Sequence, residues 1–345
     1  MTGIHRFQRL LCICIATLLC GTAALADDIS DFYRGKTVSI YVGFPPGGGY
    51  DIYARVLAPY FARHIPGSPA VVVKNMTGGS GVRAAAYISN VTPQDGTSLG
   101  LFLDTTTIGK LLGGPGDFDP AKLVWIGRIT STDSVAMVWH TAPAQSIEEA
   151  KRTPITIAVT QPGASTSMIA TALNDLIKTK FKIVRGYQGS PPMALAMERG
   201  EVDAMGGMSW DAVKTTKQNW LRGKKAKVLY TFGMRRLKDV PDASALTELA
   251  VDDRSRAILT LLAGGADVGR SLAAEPETPP IRAAALRKAF MATLGDPDFL
   301  ADMHKRKLTV EPLNGAAVQK LIASAAATPR ALVERAKRYV VRGGK

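Results

Sequence analysis

The residues best suited to chemistry in this sequence form a glycine-rich turn, Gly43-Phe44-Pro45-Pro46-Gly47-Gly48-Gly49-Tyr50-Asp51. Because glycine has no Cβ, a ligand can approach the backbone of such a turn closely. A helical pattern follows from residue 52, and the free N–H groups at the start of a helix attract anions. The turn therefore predicts a site for a carboxylate or a phosphate. The candidate ligand-binding residues here are Phe44, Gly47, Gly48, Gly49, Tyr50 and Asp51.

Asp51 is the acidic side chain of this turn. A carboxylate beside an anion site would repel the ligand. We therefore expect Asp51 to cap the first helix, to hold the turn in shape through its N–H groups, or to reach the ligand through water.

Two further small-residue turns follow strand-like runs. The first spans residues 75–81 and contributes Gly79 and Ser80, and the second spans residues 160–167 and contributes Gly163, Ser165, Thr166 and Ser167. The three hydroxyls of the later turn either cap the following helix or donate to a bound carboxylate. Tyr187 and Ser190 lie at another strand end and face the same cleft, unless Tyr187 is a core residue. Asp203 completes the set of candidates.

Catalytic constellations are scarce. The histidines outside the N-terminal segment (His64, His140 and His304) stand alone, and no spacing typical of a zinc site is present. The sequence has no G-x-S-x-G elbow and no G-x-x-x-x-G-K-[ST] phosphate loop. These observations argue against a hydrolase or an ATPase, and we expect neither a metal ion nor a cofactor.

The N-terminus is typical of a secretory signal peptide. Basic residues precede the short apolar run 10–19, and Ala24-Leu25-Ala26 forms a cleavage site. Removal of residues 1–26 would leave 319 of the 345 residues, would remove all three cysteines and would lower the net charge from +14 to +12. A lipoprotein anchored at Cys20 is the alternative. Export and the even spread of the basic residues argue against nucleic acid as a partner.

Strand-like runs alternate with helical patterns through most of the chain. The runs lie at residues 37–42, 70–74, 97–103, 125–127, 135–139, 155–159, 181–184, 202–206 and 228–232. Such alternation predicts an α/β fold with mostly parallel sheets, in which ligands bind at the carboxyl ends of the strands. Residues 281–341 read as mainly helical. Two lobes that share a cleft would bring the three turns together, as in hinged extracytoplasmic binding proteins.

An ordered set of motifs resembles the Bug proteins, the periplasmic solute receptors of tripartite tricarboxylate transporters. The motifs are residues 44–55, Val73-Lys74-Asn75-Met76-Thr77-Gly78-Gly79-Ser80-Gly81, Pro93-Gln94-Asp95-Gly96-Thr97, residues 118–122, Tyr187-Gln188-Gly189-Ser190-Pro191, residues 198–203, Thr278-Pro279-Pro280 and residues 296–299. Together they cover nearly all of the chain after the signal peptide.

The resemblance implies a two-lobed periplasmic binding protein of the Venus-flytrap type with two chain crossovers. We place the crossovers near residues 139 and 261, so that residues 27–138 and 262–345 form lobe 1 and residues 139–261 form lobe 2. The resemblance further implies that the turn at residues 47–51 binds a ligand carboxylate, partly through N–H groups and water, and that the turn at 163–167 contacts the ligand from the other lobe. It also implies one large and one small integral membrane subunit as partners.

This sequence departs from the commoner family pattern at both turns. Gly49 and Tyr50 stand where a small polar residue usually precedes the aspartate, and residues 164–167 lack the usual histidine. Tyr50 would narrow the pocket or stack on an aromatic acid. The sequence thus predicts a monomeric periplasmic receptor for a small organic anion, a carboxylate, that serves a tripartite tricarboxylate-type transporter. An orphan receptor that presents its ligand to a sensor kinase is the alternative, and a secreted hydrolase is a weaker one.

Overall fold

The computed structural model describes residues 28–341 except residues 45, 48, 79, 80, 103 and 115. The signal peptide expected at residues 1–26 lies outside the described residues, as do the candidate site residues Gly48, Gly79 and Ser80. The strands are β1 (Thr37–Val42), β2 (Ala70–Asn75), β3 (Ser98–Leu101), β4 (Val124–Arg128), β5 (Ser134–Trp139), β6 (Ile155–Ala158), β7 (Phe181–Val184), β8 (Ala204–Ser209), β9 (Ala226–Thr231), β10 (Ser271–Ala274) and β11 (Leu313–Asn314).

Helices lie between most of these strands along the chain, but β5 follows β4 directly. They are α1 (28–33), α2 (Gly49–His64), α3 (Val82–Asn90), α4 (Asp104–Leu111), α5 (Ile147–Ala150), α6 (Ser165–Leu176), α7 (Ser190–Glu198), α8 (Trp210–Thr216), α9 (Gln218–Arg222), α10 (Asp253–Val268), α11 (Pro280–Leu294), α12 (Pro297–Lys305), α13 (Gly315–Ala326) and α14 (Arg330–Val341). Within the described ranges, none of them has both the length and the apolar character needed to cross a membrane.

The strands form two mixed sheets. The first has the order β11-β4-β10-β3-β1-β2, in which β10 runs antiparallel to both of its neighbours β3 and β4. The second has the order β7-β6-β8-β5-β9, in which β5 runs antiparallel to β8 and β9. The prediction of an α/β fold is confirmed. In the first sheet β10 and the two-residue strand β11 run opposite to the other strands, and in the second sheet only β5 does. The carboxyl ends of the remaining strands of each sheet therefore share one edge.

Helices cover both faces of the first sheet, and this explains its nearly continuous apolar strands. On one face the side chains of Val38 and Ile40 pack in a cluster with Leu57 and Phe61 of α2. On the other face Tyr41 belongs to a separate cluster with the helices α3 and α13. The result is a rigid layer that fixes where the turn after β1 projects.

The second sheet is also covered on both faces. Ile155 and Ile157 of β6 share a buried cluster with Ile169 and Leu173 of α6. The opposite face carries a cluster rich in methionine, in which Met205 of β8 packs with α7. Helix α6 is thus anchored along its length, and its first turn is held at the end of β6.

Two chain segments connect the sheets side by side. Residues 129–133 run from the end of β4 to the start of β5, and residues 269–270 return from α10 to β10. The backbone N–H of Arg270 donates to the Thr130 carbonyl oxygen at 2.9 Å, and that of Ile129 donates to the Arg270 carbonyl oxygen at 3.0 Å. Ser134, the first residue of β5, pairs with Ser209, the last residue of β8. These two connecting segments, the crossings, therefore turn the carboxyl edge of one sheet toward the carboxyl edge of the other.

Two segments depart from the lobes expected from the sequence. Strand β5 pairs within the second sheet, so the chain changes sheets between Arg128 and Ser134 and not near residue 139. Helix α14 packs on α6, and its Tyr339 hydroxyl donates to Asp175 Oδ2 at 2.7 Å, so this helix joins the second sheet and not the first. The lobe to which β5 and α14 belong depends on which elements they pair with or pack against. The residues of a strand or helix do not by themselves reveal these neighbours. The division into lobes otherwise stays a prediction.

Candidate functional site

Asp51 organises the first glycine turn. Its side chain is 2% exposed. Atom Oδ2 accepts hydrogen bonds from the Gly47 N–H at 2.8 Å and from Arg55 Nε at 2.9 Å, and Oδ1 accepts one from Asn75 Nδ2 at 2.7 Å. Burial raises the pKa of this carboxyl, but the hydrogen bonds from Arg55, Gly47 and Asn75 outweigh it and hold the pKa below its ordinary value. Asp51 is therefore an ionised support of the turn, as expected from its charge.

Asn75 joins the first turn to the end of the neighbouring strand. Its Nδ2 atom donates to the Phe44 carbonyl oxygen at 2.9 Å as well as to Asp51. The two glycine turns also touch through their backbones, because a Cβ on Gly43 would lie 2.5 Å from Gly81 Cα. Only glycine permits this approach. The first and second turns are thus brought together, as the sequence predicts.

Tyr50 lies in the core under the turn. Its ring is 8% exposed and packs against the Phe44 ring at 5.0 Å between centroids. Phe44 itself is half-buried against the same cluster. The ring lies on the buried face of α2, and its expected role of narrowing the pocket or stacking on an aromatic acid stays a prediction. Tyr50 supports the turn from below.

The third turn begins helix α6 with its N–H groups free of side-chain caps. Gly163 has a φ of 82°, and Ala164 occupies the N-cap position in an extended conformation without a capping hydrogen bond. Thr166 Oγ1 accepts from the Thr160 N–H at 3.1 Å and lies 2.7 Å from Thr160 Oγ1. Thr166 therefore closes the turn, while half-buried Ser165 is left at the mouth. This first helical turn is suited to an anion.

Arg185 places a positive charge beside this helix start. It follows β7, and its Nε atom donates to Ser167 Oγ at 3.4 Å while Nη2 donates to Thr171 Oγ1 at 3.3 Å. Ser167 is fully buried, so its hydroxyl serves to hold the arginine. Sequence reasoning missed Arg185. Its position directly after a predicted strand, where ligands of α/β proteins bind, could have identified it as a candidate site residue.

A glycine pair in β8 seats helix α6 on the sheet. A Cβ on Gly206 would lie 2.8 Å from Val159 Cγ1, and a Cβ on Gly207 would lie 2.7 Å from Thr166 Cγ2. Such distances are too short for real Cβ contacts. The pair therefore sets the position of the third turn, and it too was missed from the sequence.

The remaining candidates divide between the two edges of the second sheet. Tyr187 lies at the carboxyl edge, where its N–H donates to the Val159 carbonyl oxygen at 3.4 Å, but its side chain packs against the methionine-rich core. Ser190 begins α7 at the same edge and is half-buried. These two residues lie next to the third turn.

Asp203 lies at the opposite edge, and its prediction as a ligand-binding residue is wrong. Its Oδ2 atom accepts from the Thr156 N–H and from Thr156 Oγ1, both at 2.7 Å. These bonds tie the amino end of β8 to β6. Strand β8 separates Asp203 from the cleft edge by roughly 20 Å at the usual rise per residue. Its role is to align two strands.

Comparison with curated sequences gives one relative of modest similarity. The chain is 26% identical over 235 residues to a "UPF0065 protein in tcbD-tcbE intergenic region" from Pseudomonas sp. (strain P51). The alignment covers 64% of this chain and 65% of the relative, which is less than two thirds of that protein. No protein-family model matches the chain.

Solved structures share the fold over nearly the whole of their length. A TctC solute binding protein from Polaromonas superposes with a TM-score of 0.68 and 21% identity, over 88% of this chain and 99% of that one. The periplasmic binding protein BugD gives 0.59 and 22% identity over 90% and 99%. MatC from Rhodopseudomonas palustris, solved with bound malate, gives 0.59 and 20% identity over 88% and 99%. The resemblance to Bug-type receptors is thus confirmed, and this chain has the two-sheet α/β fold of the TctC and Bug periplasmic solute-binding proteins.

Proposed function

We propose that this chain is a solute-binding protein that captures a small organic anion, a carboxylate, between its two sheets. The observation that carries the proposal is the pair of glycine-shaped helix starts, at α2 and at α6, on the two edges that the crossing turns toward each other. Each start is the positive end of a helix, and the start of α6 has no side-chain cap, so each suits an anionic group. The assigned role is binding without catalysis.

The charges of the described residues support an anionic ligand. Asp51, the acid at the first turn, is neutralised by Arg55 and by neutral donors. Arg185 adds a cation at the third turn. The net charge, +14 over the whole sequence and +12 without residues 1–26, would also favour the approach of anions from solution.

The cellular setting belongs to the same proposal. The signal peptide predicted at residues 1–26 would deliver the chain to the periplasm as a monomer. There the loaded receptor would engage one large and one small membrane subunit of a tripartite tricarboxylate-type transporter. The motifs of the Bug type, which run through the chain in order, support this partnership. Malate in the related MatC structure supports a carboxylate as the cargo.

A thermal-shift titration of residues 27–345, stripped of bound ligand by unfolding and refolding, tests the proposal. A compound that binds only the folded chain raises the melting temperature as its concentration rises. We expect a shift with at least one of malate, citrate, adipate and benzoate, and none with glucose. A shift with glucose alone would contradict the carboxylate assignment, and no shift with any compound would contradict the receptor.

We expect Arg185→Gln to weaken carboxylate binding about three- to tenfold, because the variant removes a cation from a half-exposed site. Its melting temperature without ligand should stay close to that of the wild type, since the two lost hydrogen bonds are long. Lys182→Gln, an exposed lysine of β7, provides the same change of charge as a control. Isothermal titration with the carboxylate identified by thermal shift measures both. Equal affinities of the two variants would remove Arg185 from the site.

A further inference from the structure

A cavity of about 270 Å³ lies where the two crossings meet the first turn of α8. The crossings contribute Thr130, Ser131, Asp133 and Arg270 to its wall. Its far side is formed by Asp211 and the loop 233–239 that follows β9. The side chain of Arg270 lies between this cavity and the first glycine turn.

The guanidinium of Arg270 packs against aromatic rings and forms no salt bridge with the described residues, although the carboxylates of Asp133, Asp211 and Glu311 line the same cavity. Its Cζ atom lies 4.5 Å from the ring centroid of Tyr53 and 5.3 Å from that of Tyr50. Nη1 donates a long bond to the Ser131 carbonyl oxygen at 3.4 Å. Nε is buried without a hydrogen-bond partner, and across the described residues Arg270 forms no ion pair. A buried donor without a partner calls for an explanation.

The other cations around the cavity do not share this state. Lys214 pairs with Asp211 at 3.3 Å and with Asp239 at 3.2 Å, and Arg236 pairs with Glu248 at 2.7 Å. Arg235 and Lys238 are exposed to solvent. Arg270 alone among these basic side chains of the described structure is half-buried without a carboxylate.

The absence of a side chain at Gly49 allows Arg270 to approach the first turn of α2. Nη2 of Arg270 lies 3.3 Å from the position that a Cβ on Gly49 would take. Gly49 is the first residue of α2, so the guanidinium lies against the positive end of that helix. Two positive groups meet there, and an anion between them would neutralise both. The sequence departure at Gly49 thus makes room for this contact.

We propose that Arg270 is the cation that pairs with an anionic group of the bound solute, where the first turn of α2 meets the crossing at residues 269–270. The Nε and Nη2 atoms of a guanidinium form one edge that matches the two oxygens of a carboxylate. This inference rests on the proposed function and assigns its specificity for acids to one side chain. Because Arg270 lies on a crossing, the same contact would favour closure of the two sheets on a loaded site.

Arg270→Gln tests the inference in the full chain after residue 26. Isothermal titration with malate and adipate, and with adipamic acid as the half-amide of adipate, measures the affinity of each variant. We expect Arg270→Gln to lose at least tenfold in affinity for the preferred diacid and to bind adipate and adipamic acid more equally than the wild type does. Arg270→Lys should fall between, because it keeps the charge and loses the bidentate edge. Arg222→Gln, an exposed arginine at the end of α9, should bind as the wild type does.

The outcomes separate the two proposals. Wild-type binding that Arg270→Gln leaves unchanged overturns the role of Arg270 and leaves the receptor standing. A wild type that binds none of these acids, nor citrate or benzoate, overturns the proposed function and this inference with it. If Arg270→Gln does not fold, Gly49→Ala replaces it, since the added methyl displaces the guanidinium while favouring the helix. Unchanged affinity in Gly49→Ala and Arg270→Lys together would then overturn the inference.

Discussion

Asp51→Asn is expected to destabilise the protein by about 3 kcal/mol and to lower carboxylate affinity more than tenfold. The wild-type carboxylate accepts from three donors, the Gly47 N–H, Arg55 Nε and Asn75 Nδ2. An asparagine in this place presents an NH₂ group to at least one of them, so a buried donor loses its acceptor. Hydrogen bonds to a charged group contribute about 1.5–3 kcal/mol, and an unsatisfied buried group adds a cost of its own. The turn that holds the helix start would then relax.

The pH dependence gives this prediction a second signature. The folded-state pKa of Asp51 is below its ordinary value of 3.8, so the ionised carboxylate contributes stability at every pH above that value. That contribution is lost as the pH falls through the folded-state pKa. The difference in unfolding free energy between wild type and Asp51→Asn should therefore be constant from pH 8 to pH 5 and should shrink below pH 3.8.

Asp302→Asn is the matched control for this variant. Asp302 pairs with Arg306 at 2.8 Å with the same i,i+4 spacing that joins Asp51 to Arg55 at 2.9 Å, but Asp302 lies nearer the surface. Exposed pairs of this kind contribute less than about 1 kcal/mol. Urea unfolding at pH 7 compares the two variants. A cost for Asp51→Asn no larger than that for Asp302→Asn would show that the buried network does not stabilise the turn.

The sequence predicted the local parts of this site well. Strand β1 has its predicted bounds, and the glycine turn, the helix after it and the support by Asp51 follow from residues within one strand-turn-helix unit. The third turn is of the same kind. Local patterns suffice there, because strand period, helix start and glycine content all act within about ten residues.

The parts that the sequence did not reveal depend on which strands are neighbours. Asp203 looked like a site residue until the pairing of β6 and β8 placed it at the far edge. Arg185 reaches the third turn because β7 pairs with β6. Arg270 reaches the first turn because the return segment bonds to residues 129–130. A run of adjacent residues does not reveal which strands pair, so it could not place these three side chains.

Helix α10 shows the same limit in a helix. Its paired glycines, Gly264 and Gly265, are poor helix formers and weaken the local signal. Asp252 nevertheless caps the helix through a bond from the Ser255 N–H at 2.6 Å, and Ile258, Leu259 and Ala263 are buried against the second sheet. Tertiary burial therefore outweighs the low propensity of the glycines.

Gly207→Val is expected to displace the first turn of α6 and to lower carboxylate affinity at least tenfold. The added Cβ would lie 2.7 Å from Thr166 Cγ2 and 2.9 Å from Phe232 Cζ. Neither neighbour can move freely: Thr166 is held by Thr160, and the Phe232 ring stacks on Tyr230 at 5.9 Å. The helix start would have to shift, and the anion would lose its N–H donors. Overpacking of this kind also costs about 1–3 kcal/mol of stability.

Gly207→Ala and Gly295→Ala make this prediction specific. Gly207→Ala adds only the clashing Cβ and should weaken binding less than Gly207→Val. Gly295 follows α11, and a Cβ there would meet only the carbonyl oxygens of Ala292 and Met291 at 3.7 Å, so its alanine variant should bind as the wild type does. Isothermal titration with the preferred carboxylate, beside urea unfolding, measures both effects. If Gly207→Val remained folded and bound as tightly as Gly295→Ala, the third turn would not contact the ligand, because its position would then have no influence on affinity.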